Sequence, residues 1–99
     1  MCTDLVKARP RIIALWKRFD GRCFWCGQMT CVITADLPQT ATKDHIYPKR
    51  VRRRGGKGSH AVVLSCRMCN GKRGATKARR WAAHMGVTLP LKKDGRIDL

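Results

Sequence analysis

The sequence predicts a small α+β domain stapled by one metal ion: an N-terminal helix, two short strands and a late helix gathered round four cysteines. Two CxxC pairs, Cys23 with Cys26 and Cys66 with Cys69, are the first observation behind that prediction. The second is a chain of 99 residues, since a domain this small gains little from burial alone and is helped by a cross-link. The third is a periodicity that runs helical, then β-branched, then helical again along the chain.

Residues 11–19 place Ile12, Ile13, Leu15, Trp16 and Phe19 on one helical face, with Pro10 suited to the first turn and Asp20-Gly21 ending the helix. Gly21 leads into the first cysteine knuckle, and Gly27 follows it where a tight turn can use a positive φ. Residues 30–35 are rich in β-branched side chains and predict a short strand, broken by Leu37-Pro38. Residues 40–46 predict a second strand, whose pairing Pro48 limits, and residues 61–64 the returning one. Between them residues 49–58 read as a loop. Its Gly55, Gly56 and Gly58 suit either backbone approach to a phosphate or a merely flexible connection. From Asn70 onward Ala75, Ala78, Trp81, Ala82, Ala83 and Met85 predict a helix, with Gly86 just past its C-terminus. Residues 87–99 hold Pro90 and a turn at 92–95 and read as a peripheral tail, leaving 23–85 as the core of a single domain spanning 1–99.

A CxxC turn presents two thiolates to one ion, and two such turns complete a tetrahedral four-cysteine site, the usual form of a structural Zn²⁺ centre. Cys23, Cys26, Cys66 and Cys69 are therefore expected to share one structural zinc. A thioredoxin-like redox pair is disfavoured because neither knuckle opens a βαβ unit. The stretch between the knuckles is longer than the roughly 15 to 20 residues of a simple zinc ribbon, so it houses something else. Cys2 and Cys31 remain as free thiols, and Trp25, inside the first knuckle, is expected to pack over the metal turn rather than stack on a base.

Charge narrows the partner. With 22 Lys and Arg against 6 acidic residues the formal charge is +16, more than solubility requires, and it implies a polyanion, by default nucleic acid. A solvated basic surface or a membrane-surface patch is the bland alternative. Against it, the basic residues gather in two clusters, Lys49, Arg50, Arg52, Arg53 and Arg54, then Lys72, Arg73, Lys77, Arg79 and Arg80. No apolar run approaches the roughly 18 residues that cross a bilayer, and the N-terminal residues carry no secretory h-region. A cytoplasmic protein with reduced cysteines and no membrane contact is the expectation.

Asp44-His45-Ile46-Tyr47-Pro48, a Gly-rich gap, and then Cys66-Arg67-Met68-Cys69-Asn70-Gly71-Lys72-Arg73-Gly74 resemble the HNH endonucleases, whose pattern combines a DH-I-x-P element, a CxxC-N-x-x-K/R-G element and an upstream CxxC. The resemblance spans about residues 23–74. It implies a ββα-metal finger, two short antiparallel strands and one helix enclosing a catalytic divalent ion, in a nuclease that nicks or cuts double-stranded DNA. Small free-standing members of that family occur in phages, mobile elements and restriction systems. The resemblance assigns His45 as general base, Asp44 and Asn70 as ligands of the catalytic ion, and Arg73, with Lys72 beside it, as contacts to the phosphate.

The chemistry of those side chains agrees. Phosphodiester hydrolysis needs a base for water, a cation for the charge that grows on the phosphate and leaving oxygen, and basic groups to hold the strand. His ionises nearest neutrality, Asp44 and Asn70 offer oxygen ligands that suit Mg²⁺ or Mn²⁺, and the remaining Lys and Arg supply non-specific affinity. One tension is visible: in a regular strand Asp44 and His45 point to opposite faces, so the pair is expected at a strand end where a bend or bulge re-aims one of them. The chain also departs from the family pattern where an Asn usually precedes the returning strand. His60-Ala61 stands there, and His60 can brace the loop, reach the metal or simply face solvent. His84 reads as a surface residue. A second reading, a non-catalytic zinc module that binds DNA or RNA, explains the charge and the cysteines but not the Asp44, His45 and Asn70 combination. A double-strand cut would need a dimer or a second encounter, and no dimer face is legible.

Overall fold

A computed structural model describes residues 8–32, 37–47, 61–95 and 97. Their order is α1 (Pro10–Arg18), β1 (Ala41–His45), β2 (Val62–Cys66), α2 (Arg67–Arg73) and α3 (Ala78–Met85). Among the described residues three helices and a two-stranded antiparallel sheet make the small α+β class that the sequence predicts.

Helix α1 begins on Pro10, which loses nothing by lacking an N–H in the first turn, and ends with Lys17 and Arg18 beside its carbonyl-rich terminus. It buries Leu15 against the sheet. Asp20 and Gly21 then take φ values of 54° and 73° and reverse the chain. Gly21 is confined as well as turned: a Cβ there would lie 2.9 Å from the Trp16 ring and 2.9 Å from the Met29 methyl. Its carbonyl accepts from both the amide and the hydroxyl of Thr30, at 2.7 and 2.8 Å. Gly21→Ala is expected to cost about 2 kcal/mol or more, from left-handed strain and the clash with an indole that cannot give way. Thermal denaturation would register this as a Tm lower by roughly 8 to 16 °C.

The strand expected over residues 30–35 does not form in its described part, residues 30–32, and the rest lies outside the described residues. Thr30 spends its donors on Gly21, and Cys31 is held by single bonds to Gln39 and Ala41, forming only an isolated bridge with Thr40. The β-branched side chains serve a closed loop instead of a ladder.

Strands β1 and β2 pair in unbroken register from Ala41 opposite Cys66 to His45 opposite Val62. The pair Asp44-His45 therefore sits at a strand end, as expected, but without a bulge. Helices α1 and α2 both pack on this sheet. Thr42 and Asp44 bond to α2, whereas Lys43 and His45 share a cleft with α1, so the two helices cover opposite faces. The main core lies on the Asp44 side and joins Trp25, Ile46, Val63, Cys66 and Cys69 to Trp81, Ala82 and Ile97.

Two expectations need correcting here. The single helix from Asn70 onward is two helices. Cys66 caps α2 earlier, its Sγ accepting from the Cys69 amide at 3.4 Å, and the break falls at Gly74, whose φ of 49° and ψ of −122° no other residue adopts readily. Helix α3 ends at Gly86 as expected. The stretch 87–99 is not peripheral in its described part: Ile97 is buried, its amide donates to the Tyr47 hydroxyl at 3.2 Å, and Val87 and Leu89 pack on the core. The 92–95 turn forms, closed by the Gly95 amide on the Lys92 carbonyl. The polybasic loop with Lys49, Arg50, Arg52, Arg53 and Arg54, together with His60 and Cys2, lies outside the described residues.

Candidate functional site

The two cysteine knuckles meet because β2 delivers one and grips the other. Cys66 ends β2 and starts α2, which places Cys69 one turn along, while the Phe24 amide donates to the Leu64 carbonyl at 2.8 Å and draws the first knuckle onto the same strand. The first knuckle closes on itself through the Gly27 amide to the Cys23 carbonyl at 2.9 Å, with Gly27 at φ 76°. The four sulfurs of Cys23, Cys26, Cys66 and Cys69 lie within 4.8 Å of one another, and Cys26 and Cys66 approach to 3.9 Å. A regular tetrahedron of thiolates at about 2.3 Å from Zn²⁺ has edges of about 3.8 Å, so these four free thiols can hold a metal ion such as zinc with little movement.

Their electrostatics explain why a cation is wanted. Burial, then the neighbouring thiols, push Cys66 and Cys69 above the ordinary thiol value. Burial also acts to raise Cys23, but backbone hydrogen bonds at Cys26, Cys66 and Trp25 outweigh it and hold that thiol below its ordinary value. Four thiolates crowded together are not sustained without a compensating charge, and a divalent ion supplies it. Cys31, by contrast, is disulfide-bonded, which corrects the expectation of a free thiol there.

Beside the knuckles lies a buried ion pair that sequence reasoning did not foresee. Asp44 is 5% exposed, and its Oδ1 pairs with the guanidinium of Arg73, itself 6% exposed. Its Oδ2 accepts from the Trp25 indole at 2.8 Å. Arg73 also donates to the carbonyls of His45 at 3.0 Å, Ile46 at 3.2 Å and Thr76 at 3.0 Å, and stands over the Trp25 ring with Cζ 5.6 Å from its centroid. Arg73, expected to contact a phosphate, is thus an internal bracket. A carboxylate turned into the core demands a charged partner, and the planar fork of Arg meets both the carboxylate and the carbonyls at the end of β1. The signal was present in the strand alternation: Asp44 lies between Thr42 and Ile46 on one face, and Ile46 is core. Trp25 packs as expected, and it also ties the first knuckle to Asp44.

Asn70 stands one turn before Arg73, and its Nδ2 donates at 3.1 Å to both the Thr42 hydroxyl and the Lys43 carbonyl, clamping α2 to β1. With those donors engaged, Oδ1 is the atom with which Asn70 can meet a cation. His45 is exposed on the other face, and Lys72 is exposed on α2. A cleft of about 700 Å³ is lined by Lys43, Asp44, His45, Asn70 and Arg73, and by Tyr47 and Ile97. The sequence-predicted trio therefore meets one cavity, with the Asp44 carboxylate held inside and His45 at the strand end.

No family model, no curated protein and no solved structure matches the chain. The resemblance to HNH endonucleases thus rests on the motif residues themselves. Arg79, from the second basic cluster, donates to the Gly95 carbonyl and holds the C-terminal turn. His84 is exposed with its ring 5.2 Å from that of Trp81. Among the described residues no helix is long and apolar enough to cross a membrane.

Proposed function

We propose that this chain is a metal-dependent endonuclease of the HNH type that hydrolyses phosphodiester bonds in double-stranded DNA. The observation that supports it most is the single cleft lined by Asp44, His45 and Asn70 beside a four-cysteine cluster, in a chain of charge +16. In this reading the zinc staple is structural, and a separate Mg²⁺ or Mn²⁺ held by Asp44 and Asn70 Oδ1 would stabilise the charge growing on the phosphate and leaving oxygen. His45, exposed at the end of β1, takes the proton from the attacking water. For Asp44 to ligate a cation, Oδ1 has to exchange an Arg73 N–H for the ion, while the bonds of Arg73 to the His45, Ile46 and Thr76 carbonyls still hold the strand end in place. Lys72, rather than Arg73, is then the side chain on α2 that reaches the DNA backbone.

The Asp44–Arg73 pair also favours a second reading. A carboxylate already satisfied by Arg73 and Trp25 serves equally as architecture, and the protein would then be a zinc-stapled module that binds DNA or RNA without cutting it.

Supercoiled plasmid incubated with Mg²⁺ or Mn²⁺ separates the two. His45→Ala is expected to lower nicking by about 10² to 10⁴-fold, with a thermal melt of the variant compared with that of the wild type to show that the fold is retained. Wild-type protein that binds plasmid tightly but cuts with neither ion would overturn the nuclease reading in favour of the binding module. Faster nicking with Zn²⁺ than with Mg²⁺ would sink the proposed oxygen-ligand preference. Affinity that does not weaken with salt would remove nucleic acid as the partner altogether.

A further inference from the structure

A second cleft, of about 450 Å³, opens on the face of the sheet away from Asn70 and Arg73. It is lined by Arg11, Ala14, Leu15 and Arg18 of α1 and by Lys43 and His45 of β1. The helical members recur at intervals of three and four residues and so form one stripe along α1. The strand members are two apart and so share one face. Leu15 is buried, and the cationic residues Arg11, Arg18 and Lys43, with His45, are all exposed. Among the described residues no acidic side chain lines the cleft.

From this convergence we propose that the α1–β1 cleft is a binding track for the DNA phosphodiester backbone, with Arg11, Arg18 and Lys43 as its phosphate contacts. The proposal rests on the nuclease reading above and extends it by naming the path of the strand. Arg11 and Arg18 are two helical turns apart, about 10.5 Å along the axis, far enough to meet different phosphates of one strand. Low-dielectric walls from Leu15 and Val62 concentrate the field of the three cations. His45 lies at the strand end of the same cleft, so a backbone seated on α1 is led to the proposed general base. The track also resolves why Asp44 and His45 face opposite sides of β1: the strand approaches His45 from the α1 side and passes over the end of β1 towards Asp44 and Asn70.

The test is fluorescence anisotropy with a short labelled duplex DNA and zinc-loaded full-length protein in buffer without Mg²⁺ or Mn²⁺, so that cleavage plays no part. Arg11→Gln combined with Arg18→Gln is compared with Lys17→Gln combined with Lys93→Gln, an exposed pair outside the cleft that removes the same charge. The cleft pair is expected to weaken binding about tenfold or more and to lower the slope of log K against log salt by about 2, with the control pair changing affinity less than about threefold. If circular dichroism shows the cleft pair misfolded, Lys43→Gln replaces it, with a slope change of about 1. Equal losses in the two pairs would mean diffuse electrostatics and overturn the track. Wild-type binding that the cleft pair leaves unchanged would overturn the track while the nuclease reading stands. Losses seen with duplex RNA but not DNA would overturn the assignment to DNA, and failure of the wild type to bind DNA would take the nuclease reading down with it.

Discussion

Cys69→Ser is expected to leave the protein without its metal and without cooperative thermal unfolding. Removal of the ion from the wild type by a strong chelator should do the same. The size of the effect follows from two magnitudes. A structural zinc site in small domains contributes about 10 to 16 kcal/mol of apparent binding free energy, whereas a domain of this length has a net stability of about 5 to 15 kcal/mol. An ion bound by the four cysteines would therefore carry as much as the whole margin. The geometry points the same way, because Cys66 is both the end of β2 and the cap of α2, and Cys23 is fastened to β2 through the neighbouring Phe24 amide. Loss of a bound ion would release the first knuckle and, with it, the Trp25 indole that bonds Asp44. Elemental analysis should find about one zinc per wild-type chain and little in Cys69→Ser. A protein that keeps its Tm in chelator with no bound metal would refute the staple. Asn70→Ala is the useful contrast one residue away. It loses bonds to Thr42 and Lys43, costs about 1 to 3 kcal/mol, and should retain both zinc and a cooperative melt.

Asp44→Ala and Arg73→Ala are each expected to cost about 3 to 5 kcal/mol, because each strands the other charge in the core. The double variant should cost clearly less than the sum, with a coupling of about 1 to 3 kcal/mol measured by denaturant unfolding of all four proteins. Effects that add to within about 0.5 kcal/mol would show that the two side chains do not act as a pair. The consequence for function is practical. Loss of activity in Asp44→Ala says nothing about catalysis unless stability is measured beside it, since a large part of the domain's margin goes with the ion pair. His45, exposed on the opposite face, lies outside this buried ion pair, and a melt measured beside its activity separates chemistry from stability there too.

Much of the fold was legible because its signals are local. Pro10 and the apolar spacing of residues 12–19 specify α1 within a residue at each end, and the apolar stretch 61–64 specifies β2 within two. The two CxxC spacings specify the thiol cluster, since each knuckle is a single turn whatever surrounds it. Local signals failed where competing bonds were supplied from a distance. Residues 30–32 have strand-forming side chains, yet Gly21 and Gln39 take their backbone bonds. Ile97 follows a turn in a charged tail, and only the space left between Tyr47 and the core makes it a buried residue.

The candidate site divides along the same line. By itself the sequence determined which side chains stand ready for chemistry: four thiols in two knuckles, an Asp-His pair ahead of a proline, an Asn one residue past the last cysteine, and a large excess of positive charge. Those are properties of composition and spacing, and no fold alters them. Tertiary structure alone decided what each one touches. It turned Asp44 inwards onto Trp25 and Arg73, made Arg73 a bracket, left His45 on the α1 face, and set Arg11, Arg18 and Lys43 round one cleft. The physical reason is that strand alternation fixes only the face on which a side chain lies. Its partner is fixed by whichever helix packs on that face, and the sequence spacing between them, 29 residues for Asp44 and Arg73, carries no local trace of the contact.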